Sequence, residues 1–233
     1  TEKRVDGILV APASAGVGEH LTTAVARGQA LIQVDRFIPG LDTDVVVVDN
    51  YESSLRAVRW VIASGHSRIA APILRTSGRS GHGNLISTMQ ERHQGYRDAM
   101  AEAGLPVPEI YVPSAHGRAE VRAVVTEMLA RPERPTALFG LDDSFTLGII
   151  DAVYASDLLI PDQVSVFGFD DTDWTTVVRP PLSVIAQPAY DLGACAAQTL
   201  LRRIQAPDAP RQTQVLPTTW IERDSVRSLL GDR

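Results

Sequence analysis

Short β-branched runs alternate with stretches of helical periodicity along most of this chain. "VDGILVA", "ALIQVD" and "VVVVDN" are apolar runs of strand length, and "EHLTTAVARG" between the first two predicts a helix stopped by Gly28. "YESSLRAVRWVIASGH" sets Leu55, Val58, Val61 and Ile62 on one helical face, with Gly65 as its C-cap. "SRIAAPIL" predicts the next strand, followed by the Gly- and Ser-rich loop "RTSGRSGHGN" and the helix "TMQERHQGYRDAMAEAG". Further on come the strand "EIYVP", the helix "AEVRAVVTEMLAR", the strand "TALFGL", the helix "SFTLGIIDAVYAS" and the strand "QVSVFGF". A long helix, "PAYDLGACAAQTLLRRI", and a closing strand, "TQVLPTTWIER", end the series. Strands that are apolar on both faces and alternate with helices predict an α/β fold of parallel sheet covered on both sides.

Parallel strands end along one edge of their sheet, and ligands bind in the crevice outside that edge. Two strands run into acid pairs there: "ALFGL" into Asp142 and Asp143, "VSVFGF" into Asp170 and Asp171. "RIAAPIL" leads through its loop to Arg92 near the start of a helix. A carboxylate accepts hydrogen bonds and a guanidinium donates several from a planar fork, so together they grip vicinal hydroxyls. Phe169 or Trp174 would add an apolar face. Arg92, Asp170 and Asp142 are the expected ligand contacts, whereas Asp143 and Asp171 are expected to serve as helix cap and turn residues. His116, after "EIYVP", is a candidate for the pocket wall.

Composition narrows the possibilities. Hydrophobic residues make up 44% and charged residues 21% of 233, an ordinary globular balance, with a net charge of −6. Phosphate binding needs clustered Lys and Arg, so no nucleic-acid contact is expected within these residues. The lone Cys195 sits in a predicted helix as a structural thiol. No apolar run is long enough to span a bilayer and no signal peptide precedes the first strand, which predicts a soluble, cytoplasmic location. "ASAGVGE" lacks the Gly-Lys-Ser/Thr of a phosphate loop, the five His show no metal-ligand spacing, and no Ser sits in a nucleophile elbow. No metal or cofactor is expected. The acid pairs alone would suit glycoside hydrolysis, but nothing else points to catalysis.

The segments "VDGILVAP", "IQVDR", "ERHQGYRDAM", "PTALFGLDDSFTLGIIDAV", "IPDQVSVFGFDDTDWTTVVRPPLSVIAQPAYDLGACAAQTLL" and "LPTTWIERDSV" occur in an order that resembles the LacI/GalR family of bacterial transcription repressors. The resemblance covers essentially the whole chain. Sugar-binding periplasmic proteins share the fold, but "RPPLS" and "IERDS" resemble the repressors more. It implies a two-lobed, periplasmic-binding-protein-like core that binds a small effector between its lobes, a homodimer, and operator binding through an N-terminal helix-turn-helix headpiece. The headpiece, and the first two strand–helix units of the amino-terminal lobe, are expected to lie outside this sequence. By motif position Arg92 and Asp170 match effector-binding residues, with Phe169 beside the latter. Asp142 stands where Asn is more usual, and Asp35 and Gln187 match positions that line the cleft. The resemblance places residues 1–44 and 188–212 in the amino-terminal lobe, and 45–187 and 213–233 in the carboxy-terminal lobe.

Overall fold

The computed structural model describes residues 5–16, 18–75, 85–113 and 118–230. Along the chain run β1 (Gly7–Val10), α1 (Glu19–Ala26), β2 (Ala30–Val34), β3 (Asp44–Val48), α2 (Asn50–Ala63), β4 (Ile69–Ala70), β5 (Ile73–Leu74), α3 (Ser87–Glu102), β6 (Tyr111–Val112) and α4 (Arg118–Leu129). Then follow β7 (Ala137–Gly140), α5 (Asp143–Ala155), β8 (Ser165–Phe169), α6 (Asp173–Val177), β9 (Ser183–Ala186), α7 (Ala189–Gln205), β10 (Thr213–Leu216) and β11 (Thr219–Ile221). They form two compact units. The first comprises the described parts of Thr1–Asp49, Asn84–Thr88 and Pro188–Pro217; the second holds the described remainder.

The first unit is a parallel sheet in the order β1-β2-β3-β10. Its helix α7 packs along β1, β2 and β3, while Leu21 of α1 joins Leu31 and Ile38 in an apolar cluster. Two buried polar groups fix the loop after β2. Gln33 donates to Thr43 Oγ1 at 2.9 Å and accepts from the Ile38 amide at 2.7 Å. Asp44 is fully buried and accepts from Arg203 Nε at 2.7 Å. Arg203 also donates to the carbonyls of Pro207, Ala209 and Pro210, so one guanidinium ties α7, β3 and the turn before β10 together.

The second unit carries the sheet β11-β9-β8-β7-β4, parallel except for the antiparallel edge strand β11, plus the pair β5-β6. Phe139 of β7 and Phe167 of β8 stack at 4.6 Å in its core. The "RPPLS" and "IERDS" segments bond to each other. Ser225 Oγ accepts from the Ser183 amide at 2.8 Å and donates to Val166 O, and Arg223 donates to Leu182 O and pairs with Asp171. His66, 2% exposed, lies between Thr136, Ser165 and the Arg227 carbonyl, and burial holds its pKa below the usual imidazole value.

Two prolines break strands that the periodicity predicted as continuous. Pro72 has no N–H for a ladder, and "SRIAAPIL" splits into β4, which pairs with β7, and β5, which pairs with β6. Pro217 likewise divides "TQVLPTTWIER" into β10 of the first unit and β11 of the second. The expected lobe boundaries move accordingly. Residues 45–48 and 213–216, assigned by the resemblance to the carboxy-terminal lobe, pair with each other in the first unit's sheet. The short strand β9, flanked by prolines, and the single-turn α6 were not predicted.

Helices α2 and α3 approach closely at Gly95. A Cβ there would lie 2.4 Å from the Tyr51 carbonyl and 3.0 Å from the Leu55 amide, both backbone atoms that cannot swing aside. Gly95→Ala is therefore expected to destabilise the protein by about 1–3 kcal/mol, the range of overpacking, despite Ala's better helix propensity. Urea unfolding checks this, and an unchanged midpoint would show that the helices separate freely.

Candidate functional site

Strand register places the polar residues of the second unit. Gly140 of β7 pairs with Gly168 of β8, and Phe169 with Ile185 of β9, all in parallel. Asp142 and Asp170 each stand two residues beyond the paired glycines, and Gln187 two residues beyond Ile185. All three therefore emerge from the carboxyl ends of neighbouring strands. The glycines are required because each faces Thr146 of α5; a Cβ would come within 2.1 Å of Thr146 Oγ1 at Gly140 and 2.6 Å at Gly168. That contact seats α5 and its N-cap against the strand ends.

Asp170 leaves β8 in the left-handed region, φ 78°, a conformation rare for non-glycine residues and tolerated best by Asp and Asn. Its amide still donates to Ile185 O at 2.9 Å, while its half-buried carboxylate accepts from Gln187 Nε2. The strand thus closes normally and the side chain is turned by the next peptide.

Arg92 comes from α3 and is 4% exposed. Its Nε donates to Asn50 Oδ1 at 2.8 Å and its Nη1 to the Leu141 carbonyl at 2.8 Å. Its guanidinium lies over the Phe169 ring, 3.5 Å from the centroid, a stacked cation–π arrangement. Asn50 Nδ2 in turn donates to Glu91 Oε2 at 3.0 Å. Burial raises the Glu91 carboxyl above its ordinary pKa, against the lowering effects of Asn50 and the Arg92 charge. Phe169 is 1% exposed, and one face of its ring carries Arg92.

The first acid pair divides differently from the expectation. Asp142, not Asp143, caps α5, with its Oδ1 accepting from the Phe145 amide at 2.8 Å. The extended backbone at Asp142 fits an N-cap, while Asp143 is already helical and turns its carboxylate to Thr172 Oγ1 and Trp174 Nε1. That bond takes the polar edge of Trp174. The Asp142 carboxyl is pushed up by burial and by the charges of Asp170 and Asp143, against the Phe145 hydrogen bond and the Arg92 charge. These couplings put Asp142, Arg92 and Asp170 in one electrostatic neighbourhood. Asp171 pairs with Arg223 at 2.8 Å and accepts from Thr175, and its carboxyl is held below the usual range by the Arg223 hydrogen bond.

Five of the expected residues thus fall within one region of the second unit: Arg92, Phe169, Asp170, Asp142 and Gln187. Asp35 belongs to the first unit, at the end of β2, with φ 66° and a 3.0 Å pair to Arg36. His116 and the loop 76–84 lie outside the described residues. Asn50, which sequence reasoning passed over, closes the run "VVVVDN" at a strand's carboxyl end. That position was its only sequence signal, since the Glu91 and Arg92 side chains that it meets stand 41 and 42 residues away. Among the described residues no His, Cys, Asp or Glu cluster is arranged to hold a metal ion, and no helix is long and apolar enough to cross a membrane.

Residues 58–226 match the family model of the periplasmic binding protein-like domain. The "Probable opine utilization operon repressor" of Rhizobium rhizogenes is 35% identical over 181 residues, 77% of this chain and 91% of that protein. The ribose operon repressor of Haemophilus influenzae is 30% identical over 229 residues, 97% of this chain and 66% of that protein, so the chain spans about two thirds of its length. The structure of a LacI family transcriptional regulator from Enterococcus faecium with bound ribose superposes with a TM-score of 0.80, at 24% identity, over 97% of this chain and 80% of that one. At that identity the superposition speaks for the fold alone. Its relatives being repressors and not enzymes, the chain belongs to the LacI family of transcriptional regulators, as a periplasmic-binding-protein-like regulatory domain.

Proposed function

We propose that this chain is the effector-sensing domain of a transcriptional repressor, and that its effector is a sugar or a related small polar metabolite held by Arg92, Asp170, Asp142 and Gln187. The observation that carries the reading is the seating of Arg92, whose guanidinium is tied at Nε and Nη1 and laid flat on Phe169. A guanidinium fixed in this way, with acids delivered from β7 and β8, suits adjacent hydroxyls that both donate and accept. Phe169 contributes as the platform under Arg92. Asp35 and His116 are proposed as further ligand contacts on the family resemblance alone. The ribose and opine operon repressors among the relatives support a small polar effector.

Three hydrogen bonds to charged groups at roughly 1.5–3 kcal/mol each, less ordering costs, support affinity between about millimolar and micromolar. Coupling to DNA needs about 1–3 kcal/mol of that as differential affinity between two states. Operator contact is proposed to fall to an N-terminal helix-turn-helix outside this sequence, in a cytoplasmic homodimer; the net charge of −6 agrees with that division of labour.

A thermal-shift panel of pentoses, hexoses, sugar phosphates and purines tests the reading. A true effector at a hundred times its Kd is expected to raise Tm by about 5–10 °C. Asp170→Asn tolerates the left-handed backbone but removes the charge, and is expected to lose most of that shift. No response from the wild type, or an equal response from the variant, would refute the assignment.

A further inference from the structure

The effector-binding reading leaves open what keeps Arg92 in place. An arginine has many rotamers, and one that reads hydroxyls must be held before the ligand arrives. The platform and the Leu141 carbonyl fix the plane of the guanidinium and one of its ends. A further constraint is on Nε, which donates to Asn50, 1% exposed at the start of α2.

The chemistry of that contact is directional. Arg92 Nε only donates, so it must face the oxygen of the Asn50 amide. The Asn50 NH2 group then points the other way and meets Glu91, the residue preceding Arg92 on α3. Glu91, Asn50 and Arg92 form a short polar relay between α2 and α3, in the helix pair brought together at Gly95. Asn50 is also the residue with which the chain enters the second unit, after Asp49.

We propose that Asn50 is a positioning residue for effector recognition, holding Arg92 in its ligand-reading orientation while Glu91 sets the direction of the amide. The proposal rests on the reading that Arg92 contacts the effector, but its test does not need the effector. The N50D/E91Q double variant reverses the polarity of the relay. The new carboxylate accepts from Arg92 and from the new amide, and the total charge beside Arg92 is unchanged. A merely space-filling Asn50 would not be rescued by that exchange.

The readout is solvent exchange of the Arg92 Nε–H resonance in the ligand-free protein, identified by its loss in Arg92→Lys. Asn50→Ala is expected to speed exchange by at least about tenfold, and the double variant to return it near the wild-type rate. If Asn50→Ala does not fold, Asn50→Asp replaces it. That single variant sets two carboxylates against each other, and adding Glu91→Gln is expected to restore slow exchange. Unchanged exchange in a folded Asn50→Ala, or no rescue by the double variant, would overturn the proposal. D-ribose titration gives the second arm: binding weakened at least about tenfold in Asn50→Ala and restored in the double variant supports it, and wild-type affinity in Asn50→Ala overturns it. A wild type that binds no sugar while the exchange pattern holds would count against the effector reading and in favour of the relay.

Discussion

Arg92→Ala is expected to weaken effector binding by at least about a hundredfold, measured by calorimetry. Two lost charge-assisted hydrogen bonds at roughly 1.5–3 kcal/mol each account for a change of that size. The truncation does further harm. It bares Asn50 Oδ1 and the Leu141 carbonyl, which accept from this guanidinium, and exposes one face of Phe169. Arg92→Lys separates charge from shape. An ammonium keeps the charge but cannot donate in two fixed directions or lie flat on a ring, so it too is expected to bind at least about tenfold more weakly. A lysine variant of wild-type affinity would mean that only net charge matters.

The largest effect on stability is expected from Arg203→Ala. Asp44 is fully buried and Arg203 is 3% exposed, so removing the cation strands a carboxylate in the first unit and frees the carbonyls of Pro207, Ala209 and Pro210. Breaking one side of such a pair costs about 3–5 kcal/mol, a large part of a typical domain's stability. Arg202 offers the control. It reaches the same carboxylate at 3.3 Å with a side chain 40% exposed, and Arg202→Ala is expected to cost less than about 1 kcal/mol. Burial raises the Asp44 carboxyl, but the hydrogen bonds from Arg203 and the Gln212 amide and the two arginine charges outweigh it, leaving the pKa lowered. The stabilisation is thus present above the unfolded carboxylate's pKa and is lost as pH falls through the folded value. The gap between wild type and Arg203→Ala in urea should shrink in acid, and a gap independent of pH would show that the ion pair is not its source.

Much of this was legible in the chain because period and composition report local structure directly. β-branched runs gave the buried strands, Gly65 and Gly104 gave helix ends with φ of 96° and 66°, and the acid pairs marked the strand termini of β7 and β8. What escaped depends on where strands go after a break. Pro72 and Pro217 each send one apolar run to two different sheets, which periodicity cannot show. The choice between Asp142 and Asp143 as cap turns on one residue of helix phase. The seating of Arg92 on Phe169, and the bond from Asn50, join residues far apart in sequence and exist only once α2, α3 and β8 are packed. Gly95 did carry a signal, since a glycine inside a helix often marks a close approach.

The central claim concerns Arg92 and Asp170, and the most direct measurement follows both during a titration. In 15N spectra of the wild type, adding the sugar that stabilises it most is expected to move the Arg92 Nε–H and Asp170 amide resonances together. Both should saturate at the dissociation constant found by calorimetry. Saturation of other resonances with these two unmoved would place the ligand elsewhere and contradict the account.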